Sequence, residues 1–127
     1  MCMIKVVIAE DEPSILLSLE FLMKKAGYQV YIARDGAEAR DIIDRELPHI
    51  VLLDIMIPGM NGYEVCQYIR SSPTLTNTRV VFLSAKNKDS DREYGYQIGA
   101  DLYIPKPFST RDLMTKINML AVSVRQF

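Results

Sequence analysis

Five consecutive residues, Ile50-Val51-Leu52-Leu53-Asp54, constrain the fold of this chain more than any others. Successive side chains of a strand point to opposite faces, so four apolar residues in a row need cover on both sides of a sheet. The carboxylate that ends the run is costly to bury and belongs where the strand exits into a loop. Asp54 in that place serves either chemistry or the capping of a turn.

The rest of the sequence alternates strand and helix around that run. Ile4 to Ala9 reads as a strand. Pro13 to Ala26 has helical spacing, with Ile15, Leu19, Leu22 and Ala26 on one stripe and Leu16 and Met23 beside them. Pro13 suits a first helical turn and Gly27 a C-terminal cap. Tyr28 to Ala33 returns to strand, and Asp35 to Glu46 is a helix that Asp35 caps, with Ala39, Ile42 and Ile43 inward. Ile50 to Asp54 is the central strand. Asn61 caps a helix to about Ser71; Arg79 to Leu83 is the fourth strand; Lys88 to Ile98 is a polar helix ending at Gly99. Leu102 to Ile104 is the last strand, and Ser109 caps a final helix with Leu113, Ile117, Leu120 and Val124 on one face. Short βαβ units imply parallel strands, right-handed crossovers and helices on both faces, an α/β (βα)5 doubly wound sheet. No linker, repeat or low-complexity segment divides residues 1–127, which read as one domain.

Composition narrows the function. Nearly half the residues are apolar, a quarter are charged and the net charge is −1. No basic run suits direct nucleic-acid binding by this chain, and no apolar stretch reaches the roughly 18–20 residues of a membrane span. Cys2 and Cys66 form no metal-spaced cluster, and the lone His49 cannot make a zinc site. The expectation is a reducing, cytoplasmic setting.

In open α/β sheets the functional crevice lies at the carboxyl ends of the strands. Glu10-Asp11-Glu12 ends the first strand here, Asp54 the third, Ser84-Ala85 the fourth, and the fifth runs into Lys106-Pro107. Glu10, Asp11 and Asp54 bring three negative charges and Lys106 one positive, so a divalent cation brings the sum to zero. All-oxygen ligands that leave waters in place fit Mg²⁺ better than zinc. A carboxylate beside Mg²⁺, an ammonium and a hydroxyl is the set needed to accept a phosphoryl group. An acidic patch binding calcium adventitiously would not account for Lys106 or Ser84.

Four stretches then resemble the receiver domain of bacterial-type two-component response regulators. They are Val6-Val7-Ile8-Ala9-Glu10-Asp11-Glu12-Pro13, Leu52-Leu53-Asp54-Ile55-Met56-Ile57-Pro58-Gly59-Met60-Asn61-Gly62, Phe82-Leu83-Ser84-Ala85 and Gly99-Ala100-Asp101-Leu102-Tyr103-Ile104-Pro105-Lys106-Pro107-Phe108. The resemblance runs from Ile4 to about Val124. It implies the CheY-like, flavodoxin-like strand order 2-1-3-4-5 and a cis Lys106-Pro107 bond. It also implies a role for each site residue: Asp54 the phosphoacceptor, Asp11 a direct Mg²⁺ ligand, Glu10 a ligand through water, and the Met56 backbone carbonyl a further ligand. Ser84 would bond a phosphoryl oxygen, Lys106 would pair with the phosphate, and Tyr103 would turn inward after phosphorylation as the aromatic switch. The implied partners are a sensor histidine kinase or phosphotransfer protein and a downstream output domain or protein. They act through a changed surface of the fourth helix, fifth strand and fifth helix.

Several residues depart from the family pattern. Glu10 stands where Asp is common, Ser84 where Thr is frequent, and Pro105 is tolerable because the fifth strand is an edge. Met56 and Lys86 take the two variable places beside the site, and Met56 cannot position an attacking water. Tyr96 is expected in the core, whereas Tyr94 is evenly balanced between core and partner surface. A homodimer on activation stays open, with Asp101 and Arg111 as candidate inter-subunit ion pairs, although Leu102 interrupts the usual double-acid pattern. Two alternatives compete with the switch. An aspartyl-phosphate hydrolase would usually carry a second Asp where Met56 stands. A phosphate-independent pseudo-receiver would usually have lost the acceptor, the metal carboxylates or the lysine.

Overall fold

The computed structural model describes residues 3–86 and 88–125. Ten main elements alternate along the chain: β1 (Lys5–Ala9), α1 (Pro13–Lys25), β2 (Gln29–Ala33), α2 (Gly36–Glu46), β3 (Ile50–Asp54), α3 (Gly62–Ser71), β4 (Arg79–Ser84), α4 (Asp89–Gln97), β5 (Leu102–Pro105) and α5 (Thr110–Arg125). A single 3-10 turn, Pro73–Leu75, precedes β4. The strands form one parallel sheet in the order β2-β1-β3-β4-β5. This is the flavodoxin-like order that the resemblance implies.

The alternation of side chains splits the core in two. Val7, Ala9, Val51, Leu53, Val80 and Phe82 face α2 and α3, meeting Ala39, Ile43, Val65 and Ile69. Val6, Ile8, Ile50, Leu52, Val81 and Leu83 face α1 and α5, meeting Leu16, Leu19, Met23, Leu113 and Ile117. All five β3 residues are buried, as a central strand with both faces covered requires.

The helix ends follow the local chemistry of the sequence. The Asp35 side chain accepts from the Glu38 amide at 2.8 Å, and Asn61 and Glu64 form a reciprocal capping box. The Ser109 hydroxyl accepts from the Asp112 amide. At the other end of α1, Gly27 (φ 93°) donates to the Lys24 carbonyl and Tyr28 to that of Met23, a Schellman turn.

In α1 the buried stripe is Leu16, Leu19 and Met23. Ile15 and Leu22 flank it half-buried, and Ala26 is exposed as the cap residue. Several spacings in that apolar-rich segment fit a helical period, and contact with the sheet selects one of them.

Backbone proximity fixes the loop that follows Asp54. The Gly36 amide donates to the Pro58 carbonyl at 3.1 Å. A β-carbon on Gly36 would lie 1.7 Å from the Met60 carbonyl oxygen, and one on Gly62 would lie 2.7 Å from that of Asp54. The start of α2 and the start of α3 thus close on the loop at two points where only glycine fits.

A second anchor joins α3 to the far side of the sheet. Arg70 donates to the carbonyls of Gly99 (2.8 Å) and Thr78 (2.7 Å) and to the Asp101 carboxylate (2.8 Å). Asp101 also accepts the Val80 amide and lies 3.8 Å from Arg79. Its carboxylate therefore has partners within the chain on both oxygens.

Candidate functional site

The carboxyl ends of β1, β3, β4 and β5 bring the expected residues together. β1 ends at Ala9, and the Glu10 amide still donates to the Ala33 carbonyl of β2 at 3.1 Å. The Glu10 side chain is fully buried. One carboxylate oxygen accepts the amides of Asp11 (3.1 Å) and Glu12 (3.2 Å), and the other accepts Lys106 Nζ at 2.8 Å. Burial pushes the Glu10 carboxyl above its ordinary pKa, the Lys106 ammonium opposes that, and the Asp54 charge adds to it.

Asp54 ends β3 and is 6% exposed. Its Oδ1 accepts the Met56 amide at 3.0 Å, and its Oδ2 lies 3.1 Å from Lys106 Nζ. Lys106 therefore bridges two carboxylates from different strands. Burial disfavours its charge, but Glu10 and Asp54 outweigh burial and hold its pKa above the ordinary value. The Lys106-Pro107 bond is cis, as the resemblance implies.

Asp11 is the exposed member of the group. Glu10, Asp11 and Asp54 each offer a carboxylate oxygen, all within 4.8 Å of one another. Three carboxylates so close, with one ammonium among them, fit a hard divalent cation bound through oxygen. The fit rests on this spacing and on the uncompensated charge. His49 lies away from this group and serves the backbone, its Nδ1 accepting the Lys5 amide at 3.0 Å. Cys66 is buried and its thiol is pushed up to about 11, chiefly by burial. Cys2 lies outside the described residues.

Beyond the acid group lies a hydrogen-bonded relay. Ser84, buried at the end of β4, accepts the Lys86 amide on its hydroxyl at 3.0 Å. The Lys86 carbonyl accepts the Tyr103 hydroxyl at 2.7 Å. Tyr103 is 5% exposed and meets the Phe82 ring edge-on, with 6.1 Å between centroids. The Tyr103 ring is turned inward in this structure. Gly95 is the physical reason: a β-carbon there would sit 3.0 Å from the ring.

The expectation for Tyr96 needs correction. Tyr96 is 47% exposed, so it is no core residue, and its hydroxyl accepts the Tyr103 amide at 3.1 Å. Tyr94 is 41% exposed and its ring meets Tyr63 edge-on at 4.8 Å. Met56 points outward and is 63% exposed. Gly95 escaped the sequence reading, although a glycine inside a helix signals a close approach.

The chain matches the family model described as the response regulator receiver domain over residues 6–118. Solved structures agree. A chain assigned as a response regulator in Chloroflexus aurantiacus is 30% identical, with a TM-score of 0.87 over 94% of this chain and 99% of that one. A CheY-like receiver domain protein from Methanospirillum hungatei is 26% identical, with a TM-score of 0.90 over 98% of both chains. The receiver domain of a sensor histidine kinase from Pseudomonas aeruginosa, with a magnesium ion coordinated in its active-site cleft, is 25% identical. Its TM-score is 0.83 over 97% of this chain and 98% of that one.

Proposed function

This chain belongs to the response regulator receiver domain family, and from that membership we propose that it is a phosphorylation-activated switch with Asp54 as the phosphoacceptor. The observation that carries the proposal is the bridge of Lys106 between Glu10 and Asp54, which puts a cation against the carboxylate at the exit of β3. In the proposed step an Asp54 carboxylate oxygen attacks the phosphorus of a phosphohistidine donor. A P–O bond forms, the P–N bond breaks, and the donor leaves as neutral imidazole after taking up a proton.

Asp11, Asp54, Glu10 through a water and the Met56 carbonyl would hold Mg²⁺. When bound, the ion supplies positive charge to the transferring phosphoryl oxygens. Lys106 then follows the new negative charge, which exceeds that of the carboxylate it now holds. Ser84 donates its hydroxyl proton to a phosphoryl oxygen. Because Ser84 holds the Lys86 amide, and the Lys86 carbonyl holds Tyr103, a shift at Ser84 reaches Tyr103 through two hydrogen bonds. The α4–β5–α5 surface would change with it, to be read by an output domain or a partner protein. Its donor would be a histidine kinase or a phosphotransfer protein in the cytoplasm, and the chain turns over no substrate other than its own phosphoryl group.

Beryllofluoride with Mg²⁺, a mimic of the aspartyl phosphate, tests this reading by NMR. Amide shifts should change around Ser84 and Tyr103, and a silent spectrum would sink the proposal. The exposed Met56 thioether neither donates nor accepts strongly enough to align a water for attack on phosphorus. Met56→Asn is therefore expected to speed autodephosphorylation several-fold, by about 1 kcal/mol of barrier. An unchanged half-life of the phosphorylated variant would remove Met56 from that role. A hydrolase reading is disfavoured because Met56 occupies the place where such enzymes usually carry a second acid.

A further inference from the structure

We propose that Tyr96, with Gly95, is a positioning residue that holds Tyr103 inward in the unphosphorylated protein and so biases the switch before any signal arrives. The inference rests on the receiver reading but concerns the resting chain. Tyr103 is held at three points. Its hydroxyl donates to the Lys86 carbonyl at 2.7 Å, its amide donates to the Tyr96 hydroxyl at 3.1 Å, and its ring fills the space that Gly95 leaves open.

The amide contact carries the argument. β5 is an edge strand, and an edge leaves alternate N–H groups without a partner in the sheet. The Lys106 amide points back to the Ser84 carbonyl of β4, whereas the Tyr103 amide points away from the sheet to Tyr96. Pro105, two residues on and facing as Tyr103 does, has no N–H. Tyr96 and Pro105 thus close both outward donor positions of β5. Tyr96 reaches there from α4, keeping 47% of its surface exposed. Tyrosine combines a rigid reach with a hydroxyl oxygen that can accept. Gly95 beside it lets α4 approach the ring, where the β-carbon of any other residue would press on Tyr103 Cδ2 at 3.0 Å and Phe82 Cδ2 at 3.3 Å.

If the inward ring belongs to the activated state, holding it inward beforehand raises the fraction of chains competent to respond. The apparent affinity for the activating group then rises with that fraction. Tyr96→Phe removes one oxygen and keeps the ring. In the resting protein it should speed hydrogen exchange at the Tyr103 amide by about tenfold, the factor corresponding to one ordinary hydrogen bond. It should also move the Tyr103 ring resonances toward solvent-exposed values, with the thermal midpoint little changed. Gly95→Val should displace the ring sterically while leaving the Tyr96 hydroxyl in place. In both variants the beryllofluoride concentration for half-response should rise several-fold.

Unchanged exchange in Tyr96→Phe overturns the proposal, and so does faster exchange with an unmoved ring. A ring displaced in both variants, combined with a wild type that ignores beryllofluoride, upholds the positioning role and refutes the phosphorylation reading instead.

Discussion

Asp54→Asn is expected to accept no phosphoryl group from a small acyl-phosphate donor or from a phosphorylated histidine protein, while folding normally. Intact-mass measurement after incubation with donor and Mg²⁺ should show one added phosphoryl group on the wild type and none on the variant. The substitution replaces a nucleophilic carboxylate by an amide of the same shape. The carbonyl oxygen of that amide can still accept the Met56 N–H, which Asp54 accepts at 3.0 Å. The lost contact is the 3.1 Å ion pair with Lys106, but Lys106 keeps its shorter 2.8 Å partner, Glu10. Removing the Asp54 charge also removes one of the influences that raise the Glu10 pKa, so Glu10 ionises more readily beside Lys106. Two buried carboxylates sharing one ammonium are worse off than one, so stability near neutral pH should hold or rise by up to about 1 kcal/mol. Phosphorylation of the variant at an undiminished level would mean that another residue is the acceptor. Loss of both folding and phosphorylation would mean that Asp54 is chiefly structural.

The sequence made the architecture and the acid group legible for the same reason. Short βαβ units leave little topological freedom, and strand ends in such a sheet must gather along one edge. Ile50 to Asp54 alone placed the central strand and its functional terminus. Lys106 was legible through its place after β5 and through the resemblance. What stayed hidden depends on distances across elements. Tyr96 looked like core because it lies at helical spacing from Gly99 and Ala100. Its place was decided by an unpaired amide on the neighbouring edge strand, which no periodicity reports. The stripe on α1 was similarly ambiguous, because so many of its residues are apolar. The inward Tyr103 followed from the missing side chain of Gly95, and reading that from sequence requires knowing that α4 packs on β5. The ion pair of Asp101 with Arg70, which reaches over from α3, is another contact that spacing within one element does not report.

Mg²⁺ is expected to stabilise the protein strongly, and Asp11→Asn to abolish most of that gain. At roughly one hundred times its dissociation constant, a ligand that binds only the folded state adds about 2.7 kcal/mol. For a chain of this size that corresponds to a rise of roughly 10 °C in the thermal midpoint. Asp11 is the member of the acid group open to solvent, so its loss should cost little without the ion. The pH dependence gives a second reading with a definite sign. The folded-state pKa of Glu10 is raised above its ordinary 4.5, chiefly by burial. A raised folded pKa contributes stability that is fully present below the unfolded value and is lost as pH rises through the folded one. Without Mg²⁺, then, Glu10 should draw stability down as pH climbs from about 4.5 through its folded-state pKa. With Mg²⁺ the ionised carboxylate gains a cation, and the same climb should increase stability, because binding releases the proton. The two melting curves should therefore diverge as pH rises, and the divergence should shrink in Glu10→Gln. Parallel curves would place Mg²⁺ away from these carboxylates, and an Asp11→Asn protein that still gained the full shift would exclude Asp11 as a ligand.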